Sequence, residues 1–211
     1  MSDIEIRDSV IPEDFKKFLL ELSEQTQSTF NYFGVISSDS IDEILQKELS
    51  RRDKLQFFTF LENKLIAYSF LSLFEKSTKK HNCILGIVIG DNWQNKGYGK
   101  KICEKMIEDA WKNGLEKIWL TVHYKNKKAI ELYKLLGFEV EGDIMNDEIL
   151  EEKYQTIISM ARFKNQIEVG QRLKIWKELE KILSEYIIRG NFTTLVLKKW
   201  IKYFYHLFQV L

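Results

Sequence analysis

Between residues 83 and 112, an apolar run rich in isoleucine and valine enters the segment Gln94-Asn95-Lys96-Gly97-Tyr98-Gly99, which opens a pattern of helical period. This succession of strand, glycine loop and helix constrains the chain most, because the helix must start where a buried strand ends, as in layered α/β folds. Two glycines allow the main chain to approach an anion closely. The first helical turn offers amides with no intrahelical acceptor, and the helix dipole adds positive potential there. Lys96, Lys100 and Lys101 add charge to the same turn. The segment reads as a pyrophosphate cradle or as an ordinary glycine turn into a lysine-rich surface helix.

Two familiar phosphate loops do not fit. A Walker loop needs glycine five positions before Gly99, where Gln94 stands, and Ser or Thr where Lys101 stands. A dinucleotide fingerprint through Gly97 and Gly99 would put its third glycine at Ile102. What remains is Gln-x-x-Gly-x-Gly.

The rest of the chain supplies the frame. Ile4 and Ile6 alternate with polar neighbours as a short strand, and Phe15, Phe18, Leu19 and Leu22 predict a helix over 12–24. Ile41, Ile44, Leu45 and Leu49 predict a second over 40–50. Strands are expected at 55–61 and 65–74, around a hairpin at Glu62-Asn63-Lys64, and at 83–89. Then come a helix over 98–112 stopped by Gly114, a strand at 117–123, a helix over 126–136 ending at Gly137, and strands at 138–144 and 154–161. Adjacent strands near the start argue against a regular doubly wound array and for a mixed sheet with helices on both faces.

A second motif lies 27 residues after Gly99: Asn126-x-x-Ala129-x-x-Leu132-Tyr133-x-x-x-Gly137-Phe138. Together, the two segments resemble the signature segments of the GNAT superfamily of N-acetyltransferases, in sequence, order and spacing. The resemblance covers about residues 1–163 and is strongest over 83–142. It implies an α/β (α+β) fold with a mostly antiparallel sheet of six or seven strands and helices on both faces. It also implies acetyl-CoA as cosubstrate, with the pantetheine arm lying between splayed fourth and fifth strands. Main-chain groups of Ile87, Val88 and Ile89 would then hold that arm, with Asn126 contacting it. Amides of Gln94, Asn95, Lys96, Gly97, Tyr98, Gly99 and Lys100 would take the pyrophosphate, with Lys125, Lys127 and Lys128 near enough in sequence to neutralise phosphates or simply to form a solvated helix start. Tyr133 would protonate the departing thiolate, and a main-chain N–H near Val88 or Ile89 would meet the oxyanion. The carboxylate that some relatives use as base, fourteen residues before the first motif glycine, is here Cys83. His81 and Glu75 are nearby in sequence, and many relatives use ordered waters, so the base is unassigned.

The resemblance implies transfer to an amine. A small-molecule acceptor (amino acid, polyamine or amino sugar) is the first expectation, a peptide or protein amine the second, and a catalytically silent coenzyme-binding module the third. Phe30-Asn31-Tyr32-Phe33 and the acidic stretch Asp147-Glu148-Ile149-Leu150-Glu151-Glu152 read either as a recess for a cationic amine or as core aromatics and a solvated turn.

Composition narrows the classes. Charged residues make up 30% with a net charge of only +1, giving no footprint for nucleic acid. Two cysteines and three scattered histidines match no metal spacing, so no metal is expected. No signal segment is visible at the amino terminus, and the cytoplasm is the default expectation. Residues 1–163 carry a net charge of −4 and residues 164–211 one of +5, which marks 164–211 as a separate helical extension. Its expected helices lie near 171–188 and 192–210, separated by Arg189-Gly190-Asn191. They read as a hairpin packed on its own core, as a homodimer contact, or, through the basic aromatic face of 192–211, as a peripheral membrane contact.

Overall fold

The computed structural model describes residues 3–164, except 31, 35, 151 and 152, together with residue 181. The chain divides into two compact units, Met1–Lys164 and Asn165–Leu211. The helices expected near 171–188 and 192–210 lie outside the described residues, residue 181 excepted.

In the first unit, β1 (Glu5–Arg7) pairs antiparallel with β2 (Lys54–Leu61), β2 with β3 (Lys64–Leu73), and β3 with β4 (Asn82–Ile89). β5 (Lys117–His123) runs parallel to β4 and antiparallel to β7 (Lys153–Phe163), which pairs antiparallel with β6 (Glu139–Leu150). The seven strands lie in the order β1-β2-β3-β4-β5-β7-β6. A parallel pair needs a crossover, and α4 (Tyr98–Lys112) supplies it between β4 and β5. The antiparallel β2–β3 hairpin needs only Glu62 and Asn63, both at positive φ.

Alternation along the strands sends side chains to two cores. Ala67 and Leu71 of β3, Cys83 and Leu85 of β4, and Ile118, Leu120 and Val122 of β5 pack with Ile102 and Met106 of α4. Ile130 and Tyr133 of α5 (Lys127–Leu135) join that core. On the other face, Phe58, Tyr68, Phe70 and Val88 pack with Phe15 and Leu19 of α1 (Pro12–Leu20) and Ile41 and Leu45 of α3 (Ile41–Leu49).

Two elements differ from the sequence pattern. The first helix ends at Leu20, and a separate helix, α2, occupies Glu24–Phe30. Its sequence, EQTQSTF, has no apolar stripe and buries no residue, so periodicity could not reveal it. β6 continues to Leu150 instead of stopping near 144, which places Asp147 and Glu148 in a strand rather than a turn. Among the described residues, β6 is an exposed edge strand paired with β7 alone, and that pairing prevails over its low strand propensity.

The second core contains an ion pair. Lys54 Nζ donates to Glu48 Oε1 at 2.6 Å, with both side chains almost wholly buried. The Tyr68 hydroxyl also donates to Glu48 Oε1, and the Tyr32 hydroxyl donates to Oε2 at 3.1 Å. The Lys54 ammonium sits 4.0 Å from the ring centres of Tyr32 and Phe70. Desolvation pulls Lys54 below the usual lysine range even though Glu48 opposes the shift. Removing one partner strands a buried charge, which typically costs about 3–5 kcal/mol. Lys54→Met should therefore lower the urea midpoint by a destabilisation of that size. Adding Glu48→Gln should recover part of it, because the stranded charge is then gone.

Candidate active site

β4 and β5 pair at Asn82–Lys117, Cys83–Ile118 and Ile84–Trp119, and at no residue beyond. β4 remains bonded to β3 as far as Ile89, and β5 remains bonded to β7 as far as His123. The sheet therefore opens as a wedge in its own centre. Ile87 and Ile89 turn main-chain groups to its β4 side, where these have no strand partner among the described residues, whereas Val88, expected beside them, pairs with Tyr68 of β3 and turns its main chain away from the wedge. The Ile89 carbonyl is the exception, since it accepts from Gln94 Nε2 at 3.0 Å.

The wedge leads directly into the glycine loop. A short 3-10 turn, Asp91–Trp93, follows β4, and Gly97 caps α4 at φ 81°. Only glycine adopts that conformation without strain, so the turn depends on it. Gly99 is tight for another reason: a Cβ there would meet Ile89 Cδ1 and Leu132 Cδ2 at 3.3 Å each. The loop thus nests between β4 and α5. The Gln94 amide is turned toward Asp91 O at 3.4 Å, so the cradle begins at Asn95 rather than at Gln94. Among the described residues, the amides of Asn95 to Lys100 meet no protein acceptor. These donors, at a helix N-terminus with Lys96 and Lys100, fit a pyrophosphate. Lys128, from the start of α5, reaches Asn95 Oδ1 at 3.0 Å. Lys125 and Lys127 instead lie over the Tyr124 ring, at 5.6 and 5.8 Å.

Asn126 caps α5: its Oδ1 accepts from Ala129 N at 3.2 Å, which leaves Nδ2 as the group able to reach a ligand. Tyr133 lies about two turns further on and is buried against Phe138, with ring centres 5.7 Å apart. Burial, with a smaller contribution from Cys103, pushes its phenol well above the usual tyrosine range. It is therefore protonated near neutral pH, the state an acid needs.

The position that holds the base in some relatives, Cys83, and the two nearby candidates, His81 and Glu75, sit elsewhere. Cys83 is fully buried at the closed end of the wedge, with Sγ 3.8 Å from Lys117 O, and burial pushes its thiol up to about 12. His81 and Glu75 are exposed on the β3–β4 connection, beyond that closed end. None of the three faces the open part. The aromatic segment proves to be core: Phe30, Tyr32 and Phe33 pack on one another and against Tyr68 and Phe70. The cation it encloses is the chain's own Lys54.

Cys103 resembles Cys83, fully buried with a thiol pushed up to about 12 by burial and, less, by Glu104. Raised thiol values mean less thiolate, about one part in ten thousand at pH 8. Iodoacetamide should therefore leave both thiols of the folded protein intact and alkylate both in guanidinium. Rapid labelling of native protein would contradict that burial.

Comparison with known proteins agrees with this geometry. The sequence matches the Acetyltransferase (GNAT) family over residues 20–138. It is 28% identical over 126 residues to the L-amino acid N-acetyltransferase AaaT of Escherichia coli (strain K12), a match covering 58% of this chain and 77% of that protein. It is 32% identical over 81 residues to the spermidine N(1)-acetyltransferase of the same strain, covering 38% of this chain and 44% of that protein. Among solved structures, an acetyltransferase of the GNAT family from Streptococcus pneumoniae shares the fold with a TM-score of 0.61 and 25% identity, covering 76% of this chain and 99% of the other. The spermidine N-acetyltransferase from Vibrio cholerae, in complex with CoA and spermine, shares it with a TM-score of 0.66 at 21% identity, covering 76% and 95%. With the paired motifs, the parted strands and a family match over more than half its length, this chain belongs to the GNAT family of acetyltransferases.

Proposed function

We propose that this enzyme moves the acetyl group of acetyl-CoA to the primary amine of a small molecule. The observation that carries the reading is the wedge between β4 and β5 running into six amides that meet no protein acceptor among the described residues. A pantetheine arm carries amides that need main-chain partners, and a pyrophosphate needs converging N–H donors. The chain places the two in series. In this reading, the main-chain groups of Ile87 hold the arm, and Asn126 Nδ2 contacts it. The amides of Asn95, Lys96, Gly97, Tyr98, Gly99 and Lys100 hold the pyrophosphate.

Acetyl-CoA supplies an acyl group already activated as a thioester. Tyr133 holds a proton ready for the departing sulfur, and the main-chain N–H of Ile89, which β3 leaves unpaired, stabilises charge on the carbonyl oxygen. The acceptor enters from the face that carries α1 and α2. There the buried carboxylate behind the aromatic wall, Glu48, is already neutralised by Lys54. That pair is buried and neutral, so it offers an incoming amine no free carboxylate. The broader coverage of the amino acid acetyltransferase supports a monoamine such as an amino acid ahead of a polyamine.

Free-thiol release, measured over amino acids, amino sugars, polyamines and peptides, should show transfer to at least one small amine. Transfer to peptides alone, or tight coenzyme binding with no transfer at all, would contradict the proposal. Tyr133→Phe should lower kcat by about a hundredfold and change the Kd for CoA less than about twofold. Because the Tyr133 proton is lost only above the usual tyrosine range, kcat should show no decline from its ionisation below about pH 10. Gly97→Val, which forces a branched residue into the left-handed region, should weaken CoA binding by at least about tenfold in calorimetry.

A further inference from the structure

Asp91 stands between the end of β4 and the amide cradle, yet its carboxylate is engaged by α2. Oδ2 accepts from Ser23 N at 2.9 Å, and Oδ1 accepts from the hydroxyls of Ser23 and Thr26 at 2.6 Å each. Thr26 Oγ1 in turn accepts from Gln94 Nε2 at 3.1 Å, the same nitrogen that donates to Ile89 O. One polar circuit thus runs from the start of α2, through Asp91 and Gln94, to the last residue of β4. Hydrogen bonds to an ionised acceptor are its strong members. Burial raises the Asp91 carboxyl, but the bonds from Ser23 and Thr26 outweigh it and hold the group below the usual carboxylate range.

The circuit matters because α2 has nothing comparable from the core. No residue of α2 is buried, whereas α1 and α3 each bury three. At its other end, Phe30 packs on Phe33 and Phe70, with ring centres 5.7 and 6.4 Å away. The Phe70 ring covers Gly86 of β4, where a Cβ would come within 2.3 Å of it. One end of α2 is therefore tied to the cradle and the other to the aromatic wall beside the wedge. A segment with so few buried contacts opens locally at low free energy. A ligand that fixes the loop removes part of the cost of ordering whatever is tied to it.

We infer that Asp91 is a positioning residue: through Ser23 and Thr26 it ties α2 and the aromatic wall to the glycine loop, so that filling the cradle orders the acceptor side. The inference rests on the coenzyme reading of that cradle. Hydrogen exchange on the full chain, with CoA as the probe, tests it without knowledge of the acceptor. In the wild type, CoA should slow exchange in residues 94–101 and also in 24–33, each by about tenfold or more. Asp91→Ala, and the isosteric Thr26→Val, should keep the slowing at 94–101 and reduce that at 24–33 to less than about twofold. Thr26→Ser, which keeps the hydroxyl, should restore it. Equal slowing of 24–33 in wild type and both variants, or none in the wild type, overturns the inference. No slowing at 94–101 in the wild type overturns the coenzyme reading and the inference with it, so the loop's own amides tell the two failures apart.

Discussion

Three residue pairs of parallel sheet hold β4 to β5, and the arrangement of the site follows from where that pairing stops. Buried main-chain groups in the middle of a sheet must find partners, so a central wedge survives only if something else supplies them. Part of the answer is internal, since Gln94 returns its side chain to the Ile89 carbonyl. The other part is the direction of the chain. β4 ends where the wedge is open, and its continuation turns through Gly97 into α4, so the open strand edge and the unpaired helical amides form one continuous surface. The crossover that a parallel pair requires is thereby also the element that supplies the turn of unpaired amides.

The two faces of the sheet divide the work. The face packed by α4 and α5 carries the cradle, Asn126 and Tyr133, on helices whose apolar stripes fix them to the core. The other face is aromatic and holds the buried Glu48–Lys54 pair. Lys54 occupies the space between Tyr32 and Phe70 that a cationic ligand would otherwise find attractive. A carboxylate beside aromatics is thus not a free amine recess when the chain brings its own ammonium to it.

Elements with an apolar period were legible before any coordinates: α1, α3, α4, α5 and the strands from β2 to β5 lie within a few residues of the pattern that Phe15, Ile41, Ile102 and Ile130 announce. α2 was not, because no apolar stripe holds it; Asp91 does, from 65 and 68 residues away in sequence. The length of β6 was hidden for a related reason, as its acidic and glycine residues are poor strand formers carried along by β7. The motif residues were legible in position but not in detail. Gln94 turns out to brace the loop with its side chain, and Asn126 uses its oxygen as a helix cap.

The sequence by itself determined the family, the glycine loop at the end of a strand, and the helix that presents Tyr133. All of these rest on short-range chain geometry, namely the spacing of apolar residues along a helix and the φ angles that only glycine tolerates. Tertiary structure alone decided where β4 and β5 part, that Lys54 fills the aromatic cluster, and that Asp91 binds α2. Each of these depends on groups far apart in the chain meeting at hydrogen-bond or van der Waals distance, or on the desolvation that such meetings impose. No local pattern encodes that, because the partner is selected by the packing of the whole sheet.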